Sequence, residues 1–134
     1  MRKQLTDEWK NRGVIEGQEY SILTATIAKG TFGVTPKEHK EIKNLTKSSQ
    51  NLRDHMTPLE LILTALGEEV TRILVVKDDA QGFPENHEAA IKGGKSAGEA
   101  RKRVEKTTGE KAISASNFLS QKNEEITELP LPPQ

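Results

Sequence analysis

Thr57-Pro58-Leu59-Glu60-Leu61-Ile62-Leu63-Thr64-Ala65-Leu66-Gly67-Glu68-Glu69-Val70-Thr71-Arg72-Ile73-Leu74-Val75-Val76-Lys77 is the stretch that decides the fold. A hydroxyl at the N-cap, proline at the first helical position and glutamate at the third form a capping box, so a helix opens at Pro58. Leu59, Ile62, Leu63, Leu66, Val70, Ile73 and Leu74 recur at helical spacing, with Leu61, Ala65, Val75 and Val76 widening the seam. This predicts a long central core helix ending near Lys77, before Asp78-Asp79-Ala80-Gln81-Gly82. The β-branched run Arg72–Lys77 also reads as a strand. No second apolar run of that character exists to pair with it, and a lone strand leaves its backbone groups unsatisfied.

Working outward, Leu5 and Trp9 on Leu5–Arg12 predict a short amphipathic helix stopped by Gly13. From Tyr20 the positions Ile22, Leu23, Ile27 and Ala28 recur at helical spacing until Gly30-Thr31-Phe32-Gly33 interrupts them. Thr35-Pro36-Lys37-Glu38 repeats the capping box and opens a short helix to about Lys43. Pro84–Lys106 reads as the next helix, closed by Gly109 beyond Thr107-Thr108. Ser114–Leu119 adds a short turn or helix. Beyond Gln121 the chain is polar and then proline-rich, and is expected to be a disordered tail. The expected architecture is a compact all-α bundle of five or six helices over 1–121, with two longer central helices, followed by a flexible tail at 122–134.

On the Pro84–Lys106 segment Ala90, Gly93, Gly94, Ala97, Gly98, Ala100 and Val104 share one side of the helical wheel. Each glycine inside a helix costs about 1 kcal/mol relative to alanine, so three imply a helix packed very close, expected to be Pro58–Lys77; a break at Gly93-Gly94 is the alternative. Arg101 falls on the small-residue side and needs a carboxylate. Glu60, Thr64, Gly67 and Thr71 form a stripe on the central helix with Glu68 beside it, so Glu60 or Glu68 is expected to meet Arg101. That pair either fixes how two helices dock or forms a polar pocket for a small anion or peptide.

Lys92, Lys95, Lys102, Arg103 and Lys106 lie opposite the small stripe, and Lys92–Lys111 carries seven basic against three acidic residues. This face is the candidate contact for nucleic acid or for a partner, against the ordinary reading of a charged stripe as a solvated surface. No aromatic residues interleave with it, as single-strand binders would require. Tyr20–Lys43 has the outline of a helix-turn-helix, with Lys37, His39, Lys40 and Lys43 on its second element. Gly94-Lys95-Ser96 is not a phosphate loop, because Ala89 stands where the first glycine belongs and the segment lies within a helical pattern. Asp54-His55 comes without a nucleophile elbow, and His39, His55 and His87 lack zinc spacing. No catalytic residue, metal site or cofactor is expected.

Twenty Lys and Arg balance twenty Asp and Glu in 134 residues, so electrostatic attraction must be local. The chain has no cysteine, which excludes disulfides and thiolate chemistry and suits a reducing cytoplasm. No run approaches the roughly 20 apolar residues of a membrane span, and Met1-Arg2-Lys3-Gln4 leads into Asp7-Glu8 and not into an apolar signal core.

Asn51-Leu52-Arg53-Asp54-His55-Met56-Thr57-Pro58-Leu59-Glu60, followed by Leu66-Gly67-Glu68, Ala80-Gln81-Gly82-Phe83, Glu85-Asn86, Gly93-Gly94-Lys95-Ser96-Ala97-Gly98-Glu99-Ala100-Arg101, Thr108-Gly109 and Asn117-Phe118-Leu119, resembles the carboxy-terminal domain of damage-inducible protein D and related phage-type proteins. The resemblance runs from about Leu5 to Leu119. In that family a BRO-type domain, expected to bind DNA, usually stands in front, so an amino-terminal domain of that kind is expected to be missing here. The resemblance implies a non-enzymatic accessory role in the SOS or DNA-damage response, or in phage antirepressor-type regulation. The implied partners are DNA, a DNA-repair or repressor protein, or a second copy of the chain.

Overall fold

A computed structural model describes residues 2–47 and 49–113, and among them every regular element is helical. The helices are α1 (Arg2–Asn11), α2 (Gln18–Phe32), α3 (Pro36–Ile42), α4 (Pro58–Lys77) and α5 (Gly82–Thr108), with a 3₁₀ turn at Leu52–His55. Both capping boxes form: Thr35 Oγ1 accepts from Glu38 N and Thr57 Oγ1 from Glu60 N, while each glutamate carboxylate accepts from its N-cap amide. Arg72–Lys77 is helical, so the strand alternative is not realised. The expected Ser114–Leu119 turn and the 122–134 tail lie outside the described residues.

Helix α5 runs unbroken through Gly93-Gly94, wedged between α2 and α4. A Cβ on Gly30 would sit 2.7 Å from the carbonyl carbon of Gly94, and one on Gly94 would sit 2.8 Å from Ile27 O. A Cβ on Gly98 would overlap Gly30 O, and one on Gly93 would overlap Thr71 Oγ1. The small stripe of α5 therefore serves two neighbours, whereas the sequence predicts only α4. Hydroxyls inside this contact are satisfied on their own helices, Thr31 Oγ1 donating to Ile27 O at 2.8 Å and Thr71 Oγ1 to Gly67 O at 2.7 Å.

Backbones this close leave no room for leucine or isoleucine between them, and α4 is turned accordingly. Its buried residues are Glu60, Leu63, Gly67, Glu68, Thr71 and Val75. The predicted inward seam is split: Ile62, Leu66 and Ile73 are exposed, as are Leu61 and Val76, while Leu63 and Val75 are buried and Leu59, Val70 and Leu74 are half-buried. Most large apolar side chains collect at the ends of the wedge. Leu5, Trp9, Val14, Leu23, Ile27 and Ala90 form one cluster, with Trp9 edge-on to Tyr20 at 5.3 Å. Phe32, Met56, Leu63 and Ala112 form a second.

Gly98→Ala should cost about 3 kcal/mol, the upper end of ordinary overpacking, because the new methyl meets backbone and not a yielding side chain. Ser96→Ala, two residues away on the exposed side, should stay within about 0.5 kcal/mol of wild type; urea denaturation of both checks this.

Candidate functional site

Helix α3 is seven residues long, and His39 together with the C-cap residue Lys43, four positions on, turns into the molecule. Both meet Glu60, which the capping box places in the first turn of α4: His39 Nε2 lies 2.7 Å from Oε2 and Lys43 Nζ 2.7 Å from Oε1, all three side chains essentially without solvent exposure. The Thr57 amide donates to Glu60 Oε1 at 2.8 Å. Burial pushes the Glu60 carboxyl up, but these three donors outweigh it and hold it below the ordinary carboxylate value. The His39 ring stands edge-on to Phe32 at 4.9 Å.

Two turns further along α4, Glu68 is 4% exposed and accepts on one oxygen, Oε2, from two arginines on other elements. Arg2 Nη1 reaches it at 3.0 Å from the start of α1, and Arg53 Nη2 from the 3₁₀ turn. The turn is set by Asn51, whose side chain accepts from Arg53 N at 2.9 Å. Both arginine side chains remain more than a third exposed, at the edge of a cleft of about 570 Å³ between α2, α3, the 3₁₀ turn and α4. Among the described residues its charged lining includes Arg2, Lys40 and Arg53 against the single carboxylate of Glu68, with apolar walls from Ile27, Phe32 and Met56. Thr24 Oγ1, in the same wall, is buried and makes no hydrogen bond among the described residues, whereas Thr26, Thr31, Thr64 and Thr71 all donate to the carbonyl one turn back.

The expected pairing of Arg101 with Glu60 or Glu68 is not formed. Arg101 sits at the far end of α5, where Nε donates to Thr31 O at 2.7 Å and Nη1 to Glu105 at 2.9 Å. Glu105 also accepts from Ala112 N at 2.9 Å, tying down the chain beyond Gly109. Arg101 thus braces α5 against the C-terminal carbonyls of α2, and a carboxylate one turn along its own helix neutralises it. The two glutamates are taken instead by cations from α1, α3 and the 3₁₀ turn.

The helix-turn-helix reading also changes. With His39 and Lys43 sealed against Glu60, α3 offers only Lys37 and Lys40 of the four expected bases to the surface. The basic face of α5 is exposed as expected: Lys92, Lys95, Lys102, Arg103 and Lys106 all face solvent, Lys92 lying 3.6 Å from Glu88. Gly94-Lys95-Ser96 is mid-helix, and His55 is buried beside an exposed Asp54. Among the described residues no group of three or more His, Asp or Glu could hold a metal ion, and no helix is long and apolar enough to cross a membrane.

No family model, curated protein or solved structure matches this chain.

Three residues of this region escaped the sequence reading: Arg2, Arg53 and Thr24. The inward turn of His39 and Lys43 had a signal, because a helix reading Pro36-Lys37-Glu38-His39-Lys40-Glu41-Ile42 has almost nothing apolar to bury, so one polar pair must go inside. Arg2 and Arg53 had none, since their meeting on Glu68 depends on how three separate elements dock.

Glu60→Gln should destabilise the fold by about 3–5 kcal/mol, because it leaves the buried Lys43 ammonium without its carboxylate. In the wild type the depressed folded-state carboxyl contributes stability that is complete above the ordinary glutamate range, near pH 4.5, and is lost as pH falls through the lower folded value. Chemical denaturation between neutral pH and pH 3 should show this acid loss in the wild type and a shallower one in Glu60→Gln.

Proposed function

We propose that this chain is a non-enzymatic accessory domain of the kind its resemblance to the damage-inducible protein D family implies, acting in DNA-damage or phage-type regulation by gripping an acidic segment of a partner protein. The observation that carries this reading is the cleft edged by Arg2 and Arg53. One buried carboxylate neutralises only one of two guanidiniums, and each arginine uses a single N–H in that bond, so donors remain for a second carboxylate. The apolar walls from Ile27, Phe32 and Met56 suit an aliphatic or aromatic side chain next to the acid, and Thr24 Oγ1 supplies a further polar group. A volume of about 570 Å³ accommodates a few side chains and falls within the range of ordinary binding sites.

Direct DNA contact through α5 is the second reading, favoured by the exposure of all five basic residues on one helix. Glu99 on the same exposed stretch and the Lys92–Glu88 pair dilute it. It predicts an affinity falling steeply with salt.

A fluorescein-labelled peptide alternating aspartate with leucine should bind the protein, and Arg2→Gln/Arg53→Gln should weaken binding at least about tenfold, the value of one lost charge-assisted hydrogen bond, while Lys102→Glu/Arg103→Glu leaves it unchanged. Anisotropy of labelled duplex DNA at low and physiological salt tests the alternative. Salt-sensitive DNA binding abolished by Lys102→Glu/Arg103→Glu, with no peptide binding, would move the function to α5.

A further inference from the structure

We propose that two copies of this chain associate through α4, packed antiparallel along Leu59, Ile62, Leu66, Glu69, Ile73 and Val76. This goes beyond the cleft reading and does not depend on it, because the seam and the cleft use different sides of α4.

The six positions are spaced three, four, three, four and three residues apart, the a and d positions of a heptad sustained over the whole helix. Globular helices normally turn such a seam into their own core. Here the opposite positions, Glu60, Gly67, Thr71 and Val75 among them, face α5 and the rest of the molecule, and four of the six heptad positions, Ile62, Leu66, Ile73 and Val76, face water. Ile62 is 64% exposed, Ile73 48%, Val76 44% and Leu66 38%. Leu59 is half-buried at one end.

The occupant follows from the symmetry of the pattern. Seam and helix share one midpoint, between Gly67 and Glu68. A second copy of α4 related by a two-fold axis through that point sets Leu59 against Val76, Ile62 against Ile73, and Leu66 against Glu69. Every seam position then has a partner, which is the self-complementarity a two-fold interface requires. The single charged seam residue is already neutralised within its own copy, Arg72 Nε and Nη2 donating to the Glu69 carboxylate at 2.9 and 2.6 Å. Pairing therefore brings two neutral surfaces together, with Ala65 and Val70 at the margins. Stable interfaces remove about 800 Å² per partner, roughly a tenth of a small protein's surface, and a tenth of the 8284 Å² here is of that size. A helix of 20 residues is about 30 Å long, enough for the buried centre of such an interface but not its rim. Association is accordingly expected in the micromolar range.

Sedimentation velocity of the full chain across about 1 to 100 µM should show a monomer–dimer equilibrium. Ile62→Glu/Ile73→Glu should raise the dissociation constant at least about 100-fold while the far-ultraviolet circular dichroism of the monomer stays helical, since both residues are exposed. A wild-type chain still monomeric at the highest concentration overturns the proposal and leaves the seam to another protein or to residues 114–134 of the same chain. A dimer that survives the double substitution overturns it as well. Because the chain has no cysteine, orientation can be read separately. Ile62→Cys and Ile73→Cys proteins mixed in a glutathione buffer should form a mixed disulfide dimer, and neither should cross-link alone. Cross-linking of Ile62→Cys with itself would show a parallel pair and overturn the antiparallel geometry.

Discussion

The rest of the molecule depends on backbone contact between α5 and its two neighbours. Gly94 and Gly98 meet α2 at Ile27, Gly30 and Thr31, and Gly93 meets α4 at Gly67 and Thr71, so three helices touch where side chains normally separate them. Dispersion attraction is strongest where surfaces meet without gaps, and it is gained here at the cost of glycines inside helices. The arrangement also decides what else can be inside: an interface this thin admits hydrogen, methyl and back-bonded hydroxyl groups, and it sends the larger aliphatic groups to the ends of the wedge or out to solvent.

A thin apolar interface leaves buried polarity to be handled by pairing, and α4 handles it twice on the side facing away from its exposed seam. Glu60 is sealed by His39, Lys43 and its own N-cap amide, and it locks α3 onto the start of α4. Glu68 is met by Arg2 and Arg53, which anchor the beginning of α1 and the 3₁₀ turn while their side chains stay partly exposed. The first network is closed and structural in character. The second combines one carboxylate with two cations at a cleft, and that imbalance is what suggests a ligand.

Exposed surface is divided in the same way. One side of α4 carries an apolar seam interrupted only by Glu69, α5 carries a band of lysine and arginine, and the cleft lies on the flank of α4 near α3. Each has its own chemistry: apolar association, salt-dependent attraction, and charge-assisted hydrogen bonding. Substitutions on one surface need not disturb the others, so the contributions can be separated by experiment.

The sequence by itself determined the helical class, both capping boxes, the span of α4 and the exposed basic face, because local hydrogen bonding and side-chain periodicity set these, whereas the continuity of α5 through Gly93-Gly94 was decided by its packing. It did not determine which face of α4 points inward. Hydrophobicity favours the leucine and isoleucine seam, yet the small and polar stripe lies inside, because α5 approaches too closely for large side chains. Nor did it determine charge pairing: Arg101 was identified as needing a carboxylate, with Glu60 or Glu68 expected to supply it, but which cation reaches which carboxylate depends on where α1, α3 and the 3₁₀ turn dock. Periodicity reports that a helix has two unlike faces; only the distance between packed backbones decided which of them is the core.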